Sequence, residues 1–451
     1  MKSDFLLSND IGRELYSYAK RLPVIDYHNH LPFANISANT GFTDIYELWI
    51  KPDPYKHRVM RMCGVPEKLI TGNGTNPEKF DAWCSIFPKL AGNQIYHWSQ
   101  MELENVFGIT EIPSDKNSAI IYKKCNEYLL SNSVTPMSLL NKYNVEYASP
   151  CASVADDISF FKNNTLFSPS LRGDDIVAPT MEFVKKLESI STTVIKDIDS
   201  FEKALEARLD EFQSAGCCFS DHALDNGFSF YPDDGKNGIR FKEALEGTLH
   251  GTEKEKLSSH ILVMMGRKYA ARGMVMQLHM GAQRYTSTRL RALAGASGGF
   301  AGIGNSVDAA ALTSFLDALD MAEHGLPKTL LFTLNPADNE LISVLSGSYS
   351  KDGVSGLITQ GPAWWWCDHK QGIIDVLEST AAFGLIYNFV GMTTDSRSFL
   401  SFERHDYFRR ILCDFVGGKA QKGMLPDNID ELKKLIYAMC YGNAYNIINK
   451  E

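Results

Sequence analysis

Residues 23–31 read Pro23-Val24-Ile25-Asp26-Tyr27-His28-Asn29-His30-Leu31. Val24 and Ile25 favour extended backbone, and the run predicts a short buried strand. Positions two apart on a strand share a face, so the stretch delivers His28 and His30 toward one point beyond its end. Two imidazoles placed that way are half of a site for a divalent metal. A lone His-x-His is a short motif, and two polar residues on an edge strand would read the same. The remainder of the chain decides between these readings.

From about residue 145 the sequence alternates. β-like runs recur at Val145–Ser149, Leu166–Arg172, Cys217–His222, Val275–Met280, Thr329–Leu334, Leu357–Ala363 and Phe389–Asp395. Helical spacing fills most of the gaps, at Ile176–Ile190, Ser200–Ala215, Glu253–Arg272, Val307–His324, Asn339–Gly347 and Gly372–Phe383. With Val24–His28 this makes eight strands, and the expected fold is an α/β (β/α)₈ barrel of the TIM type. A doubly wound open sheet is the alternative, but no Gly-x-Gly-x-x-Gly follows the first strand. Four segments are expected: 1–32, an N-terminal helix and strand one; 33–140, a helical insertion after strand 1; 141–400, the rest of the barrel; and 401–451, a helical C-terminal extension. The insertion aromatics Trp49, Tyr55, Trp83, Tyr96 and Trp98 are expected mainly to pack.

The chain of 451 residues is 44% hydrophobic and 22% charged, ordinary for a globular protein. A net charge of -9 argues against a nucleic-acid surface. No apolar run approaches the length of a membrane span, and no signal-peptide pattern opens the chain. Nine cysteines without a Cys-x-x-Cys read as free thiols, and a cytoplasmic location is expected.

Active sites of such barrels lie at the C-terminal strand ends. In order, those ends carry His28 and His30, then Ser149-Pro150-Cys151, which is undistinguished. Arg172 with Asp174 follows, then Asp221 and His222, His279 with Arg284 beyond, Asn335 with Asp338, Trp364–Trp366, and finally Asp395 with Arg397. Four of only 11 histidines at one rim exceed what surface decoration would give. His28, His30 and Asp395 form a ligand set suited to Zn²⁺, or less specifically to Mn²⁺ or Fe²⁺, since strands one and eight adjoin in a closed barrel. Arg172, Arg284 and Arg397 together favour an anionic substrate.

The chain resembles the uronate (glucuronate) isomerase family of the amidohydrolase superfamily over nearly its whole length. The likeness rests on Tyr46-Glu47-Leu48-Trp49, Tyr96-His97-Trp98, Ser220-Asp221-His222, Gln277-Leu278-His279, Asp395-Ser396-Arg397-Ser398-Phe399 and Arg404-His405. It implies isomerisation of D-glucuronate to D-fructuronate and of D-galacturonate to D-tagaturonate through a cis-enediol. It implies His28, His30 and Asp395 as ligands of one divalent metal. Asp395, Arg397, Tyr55 and His279 become the catalytic candidates, with Arg172, Arg284, Asp221 and His222 around the substrate. In this expectation Asp395 deprotonates a hydroxyl, Tyr55 or His279 moves the C1–C2 proton, and Arg397 holds the enediolate. Pro54 stands where the family usually has His, and Ser149-Pro150-Cys151-Ala152 where it usually has Thr-Asp-Asp-Pro. The expected partners are a small hexuronate and further copies of the chain in a homo-oligomer, with neither nucleic acid nor membrane. Two rival readings are a mononuclear-metal hydrolase or lactonase on the same barrel and a non-catalytic sugar-acid binder. Asn335 and Asp221-His222, where hydrolases commonly carry His and Lys or Glu, weigh against the first; Pro54 alone favours the second.

Overall fold

The computed structural model describes residues 1–225 and 228–449. Its centre is one parallel sheet of seven strands: β1 Val24–Asn29, β2 Val145–Ser153, β3 Ser170–Arg172, β4 Phe219–Leu224, β5 Val275–Met280, β6 Thr329–Thr333 and β7 Ile358–Gln360. They lie side by side in chain order. Every residue of β1 and of β5 is buried, as parallel strands covered on both faces require. Asp221 pairs with Arg172, and Ala223 with His279, so their C-terminal ends lie level.

The run expected as an eighth strand, Phe389–Asp395, is not a strand of this sheet. Its end does lie against β1: Asp395 N–H donates to His28 O at 3.1 Å and His30 N–H to Ser396 O at 2.9 Å. Between these bonds, side chains intercept the ladder. Thr394 N–H goes to the Asp26 carboxylate rather than to a carbonyl, and the Thr393 hydroxyl bonds His28 O.

Between β1 and β2 lie seven α-helices, from Phe33–Ala38 to Pro136–Lys142. Helix Pro54–Met62 begins in a form its sequence dictates. Asp53 accepts Tyr55 N–H at 2.9 Å and Lys56 N–H at 3.2 Å, while Pro54 occupies the first turn where no N–H is needed. The cap fixes where Tyr55 points. Its carboxylate also holds Lys56 Nζ at 2.6 Å, and Glu102 meets the same ammonium at 3.2 Å, a fully buried triad.

The expected helix Ile176–Ile190 is two, Asp174–Val177 and Met181–Ser191, broken before Pro179. The segment after β5 was not foreseen. It carries a short antiparallel ribbon, Ala282–Gln283 with Gly302–Ile303, and a helix, Thr288–Ala294. The C-terminal segment forms helices Glu403–Gln421, Ile429–Tyr437 and Asn443–Asn449; its last two positions, 450 and 451, lie outside the described residues. No helix is long and apolar enough to cross a membrane among the described residues.

Candidate active site and metal centre

His28 and His30 leave the end of β1 as the alternation of a strand demands, and Asp395 comes to meet them. His30 Nε2 lies 3.0 Å and His28 Nε2 3.4 Å from the same oxygen, Asp395 Oδ1. Bonds of about 2.0–2.2 Å to one tetrahedral ion leave nitrogen and oxygen ligand atoms about 3.3–3.5 Å apart. The trio therefore has close to the dimensions of a single-ion seat. Asp395 is non-glycine yet has φ +44°, and Trp365 on the facing wall has φ +49°. Left-handed backbone at such residues is stored strain of the kind that gathers at functional sites.

Asp395 is held from behind. Asp26, at 0% exposure, accepts Thr394 N–H at 2.6 Å, Thr394 Oγ1–H at 2.7 Å and Asn29 Nδ2–H at 3.0 Å, and His405 Nε2 stands 3.4 Å away. Arg404 donates to Thr394 O and to Asp368 at 3.2 Å. Its guanidinium lies 5.2 Å from the Tyr55 ring and 4.7 Å from the Trp98 ring. Asp26 and Arg404 belong to the site's support, and neither is among the site residues expected from the sequence, Arg404 entering there only as part of the likeness. The signal was there for both: a carboxylate inside an otherwise apolar strand, and an arginine within a buried helix face.

Cys151 at the end of β2 was passed over. Its Sγ lies 3.6 Å from His28 Nδ1 and 4.0 Å from Asp221 Oδ2. Asp221 Oδ1 in turn lies 2.6 Å from His279 Nδ1. The His279 ring stacks on Phe332 at 4.2 Å, meets Trp364 at 4.9 Å and leans on the His28 ring at 4.8 Å. Burial disfavours charge on His28 and His30, but Cys151 and the Asp221 and Asp395 carboxylates outweigh it and raise both pKa values. Burial pushes the Cys151 thiol up, and the two imidazoles pull it down further, to about 7. Burial likewise opposes the Asp395 charge, and the same imidazoles hold its pKa well below the carboxylate range. The cluster is one that favours a cation at its centre.

Beside it opens a cavity of about 170 Å³, below the roughly 300–1,000 Å³ of sites for drug-sized ligands. His30, Tyr55, Arg172, Arg284, Asp395 and Arg397 all line it. Burial raises the Tyr55 pKa, keeping the phenol protonated against the pull of the nearby Arg404 guanidinium, and its hydroxyl makes no aligned hydrogen bond among the described residues. Arg172 is paired with Asp174 at 2.9 Å and Arg284 with Asp225 at 2.9 Å, with Trp365 under the latter guanidinium at 4.9 Å. Arg397 forms no ion pair among the described residues; Nη2 donates to Ser297 Oγ at 3.2 Å, and burial lowers its pKa. Trp365 and Trp366, from the end of the seventh expected strand, are cavity wall.

The structure does not bring His222 to this site. Neighbouring residues of a strand face opposite ways, so Asp221 turns to the histidines and His222 turns outward. There its Nε2 meets Tyr269 OH at 2.9 Å, and its ring fills the space against Gly173, where any Cβ would collide with it. His279 and Asp221 sit behind His28 rather than on the cavity wall.

The roof comes from residues 295–303. Arg58 Nη1 donates to Ala301 O at 2.9 Å and Gly299 O at 3.4 Å, and Arg61 Nη1 donates to Gly298 O. Gly299 has φ +80° and presses on Pro54 O, leaving no room for a side chain. Pro54 thus lines the cavity just beneath its roof.

The family described as glucuronate isomerase matches residues 1–448. A uronate isomerase of Mannheimia succiniciproducens is 39% identical and one of Clostridium perfringens 38% identical, each over 98% of both chains. The crystal structure of a uronate isomerase from Thermotoga maritima superposes with a TM-score of 0.92 at 29% identity, over 99% of both chains. By this full-length match the chain belongs to the glucuronate isomerase family.

Proposed function

We propose that the chain interconverts a hexuronate aldose and its ketose, D-glucuronate with D-fructuronate and D-galacturonate with D-tagaturonate, at the cavity between Asp395 and Tyr55. The observation that carries this reading is the lining itself. One small cavity presents the Asp395 carboxylate, a protonated phenol and three guanidiniums, one of them paired with Asp174. An anionic sugar whose carbonyl must be enolised calls for that combination.

The isomerisation moves one proton from C2 to C1 and another from O2 to O1. The resting charge states favour allocating them in the reverse of the order expected from sequence. Asp395 rests ionised and Tyr55 rests protonated. Asp395 takes the proton from C2 while Tyr55 gives its proton to O1, forming a cis-enediol. The cis arrangement keeps both oxygens on the side of Tyr55, which recovers a proton from O2 as Asp395 delivers its own to C1. Arg397, with open donors, stabilises the oxyanion that develops. Arg172 and Arg284, each half-neutralised by an aspartate, hold the carboxylate and hydroxyls of the substrate. His279 steadies His28 from behind.

His28, His30 and Asp395 would hold the divalent metal, for which Zn²⁺ is our reading of a nitrogen and oxygen set. When bound, the ion supplies Lewis-acid polarisation of a substrate oxygen. We read the whole as a closed (β/α)₈ barrel, supported by the main-chain bonds of Asp395 and Ser396 to β1. The protein is read as cytoplasmic and homo-oligomeric.

The test is ¹H NMR of purified, metal-loaded protein in D₂O with each uronate. Conversion to ketose supports the assignment, and the two rates rank the substrates. A folded, loaded protein that leaves both sugars unchanged overturns it, and solvent oxygen entering a lactone product would establish the hydrolase instead.

A further inference from the structure

We infer that Arg404 is a positioning residue for both proton-moving groups: its guanidinium aims the Tyr55 hydroxyl and stabilises the phenolate formed there, while anchoring the main chain that presents Asp395. The inference rests on the reading of Tyr55 as the acid and adds to it the residue that stands behind it.

Arg404 lies in helix Glu403–Gln421, is 2% exposed, and is not among the residues that line the cavity. A guanidinium buried so deeply needs a partner for each of its donors. Nη2 donates to Thr394 O, in the peptide that joins Thr394 to Asp395. Nη1 donates to Asp368 at 3.2 Å. Nε is buried and makes no aligned hydrogen bond, and the Tyr55 hydroxyl is buried in the same condition. The guanidinium carbon lies 5.2 Å from the centre of the Tyr55 ring. A donor and a hydroxyl, each lacking a partner, are thus neighbours in an interior where such groups are rare. The Trp98 ring meets both, at 4.7 Å from the guanidinium and 5.8 Å from the Tyr55 ring, and Trp366 meets the Tyr55 ring at 5.2 Å.

The proposed reaction requires that phenol to give up its proton. The C2–H pair becomes the C1=C2 bond as its proton passes to Asp395. The carbonyl pair on O1 takes the Tyr55 proton, and the O–H pair stays on the phenol oxygen. The proton recovered from O2 then restores the phenol. Among indole rings a phenolate is costly. Burial opposes it, as do the Asp395 and Asp368 carboxylates, whereas Arg404 favours it by charge and by hydrogen bonding. Arg397 also acts on Tyr55, but it lines the cavity, where the substrate oxyanion develops. Arg404 is shut away from the sugar and serves the phenol. A fixed charge there lowers the barrier without contributing to substrate binding.

The experiment uses the full, metal-loaded chain in four forms: parent, Arg404→Lys, Tyr55→Phe and the two changes together. Each is assayed for kcat and KM with both uronates. Arg404→Lys keeps the charge opposite Asp368 and loses the fork. It is expected to lower kcat about tenfold or more, with KM within about twofold of the parent. In the Tyr55→Phe background the same change is expected to cost less than about twofold, because no phenolate forms. An equal fold-loss in both backgrounds, or undiminished kcat for Arg404→Lys, overturns the inference and leaves the isomerase reading intact. Full turnover in Tyr55→Phe overturns the acid and the inference together. A parent that converts neither sugar overturns the isomerase reading and this inference with it. Where a variant fails to fold or keeps no measurable turnover, a crystal structure of the parent decides. Arg404 Nε within about 3.2 Å of Tyr55 Oη is expected, and a separation beyond about 3.6 Å overturns the inference.

Discussion

The carboxylate of Asp26, in the middle of β1, accepts the main-chain N–H of Thr394 at 2.6 Å, one residue before Asp395. Where a strand would have offered a carbonyl, a side chain holds the chain in place, and Asp395 leaves it at φ +44°. Burial pushes the Asp26 pKa up, but His405 and the Thr394 donors outweigh it and hold it below the usual value. A depressed pKa gives stability that is present above the unfolded carboxylate range near 3.9 and lost as pH falls through the folded value. Asp26→Asn is expected to lower unfolding free energy at pH 7 by about 2–3 kcal/mol. Urea melts at several pH values check this, and the difference from the parent is expected to shrink on acidification. A variant as stable as the parent at pH 7 would remove Asp26 from this role.

Tyr55→Phe separates chemistry from packing. The hydroxyl is buried and makes no aligned hydrogen bond among the described residues, so its loss is expected to change thermal stability little. Turnover is expected to drop by about two decades or more, because the proton for O1 is gone. A single pair of assays, a melt and a kcat, reads both. Unchanged kcat would exclude Tyr55 as the acid.

Arg397→Lys keeps the charge and loses the fork. With no carboxylate partner among the described residues to satisfy, the effect is expected in kcat rather than in stability. The loss is expected to exceed one decade. Rates measured at saturating uronate give the answer, and full turnover would mean that a point charge suffices.

Glu403 opens helix Glu403–Gln421 in a buried setting, where it accepts Asn105 Nδ2–H at 2.6 Å. Burial, aided by Asp406, pushes its pKa up to about 8. A raised pKa gives stability present below the unfolded value and lost as pH climbs through the folded one. Between about pH 4.5 and 8 this group therefore weakens the fold, by about 1.4 kcal/mol for each pKa unit at full effect. Glu403→Gln mimics the neutral form and is expected to flatten that slope and to be equal or more stable at pH 8. Parallel melts of parent and variant across the range would show whether the slopes differ.

The parts of the fold legible in sequence were those where apolar runs meet no competition. β5 lies at the expected residues, and β1 runs only one residue beyond them. β3 ends at Arg172 as expected but begins only at Ser170, after Pro169, which has no N–H to give a ladder; β7 stops at Gln360, before Gly361, which lies against the Phe332 ring. The run at 389–395 is apolar enough to read as strand, and nothing in its own residues shows that Asp26 takes the Thr394 N–H. His30, Asp395 and the three arginines of the strand ends line one cavity, and Tyr55 reaches it from the insertion, where the aromatics were expected mainly to pack. His222 did not, although strand alternation forbids Asp221 and His222 from facing the same way. Cys151 was overlooked because one cysteine without a spaced partner has no motif; only the fold brings it to His28.

The clamp of Arg58 and Arg61 on the roof grips carbonyl oxygens, and so recognises no side chain there. Gly299 is bound to stay, since its seat on Pro54 admits nothing larger. Ala296, which faces the cavity, carries no such obligation, whereas Ser297 accepts from Arg397. The lineage can alter the ceiling over the sugar while the ceiling stays hung. Diversification of substrate preference in this protein has an inexpensive route at Ala296, one that leaves the catalytic floor untouched.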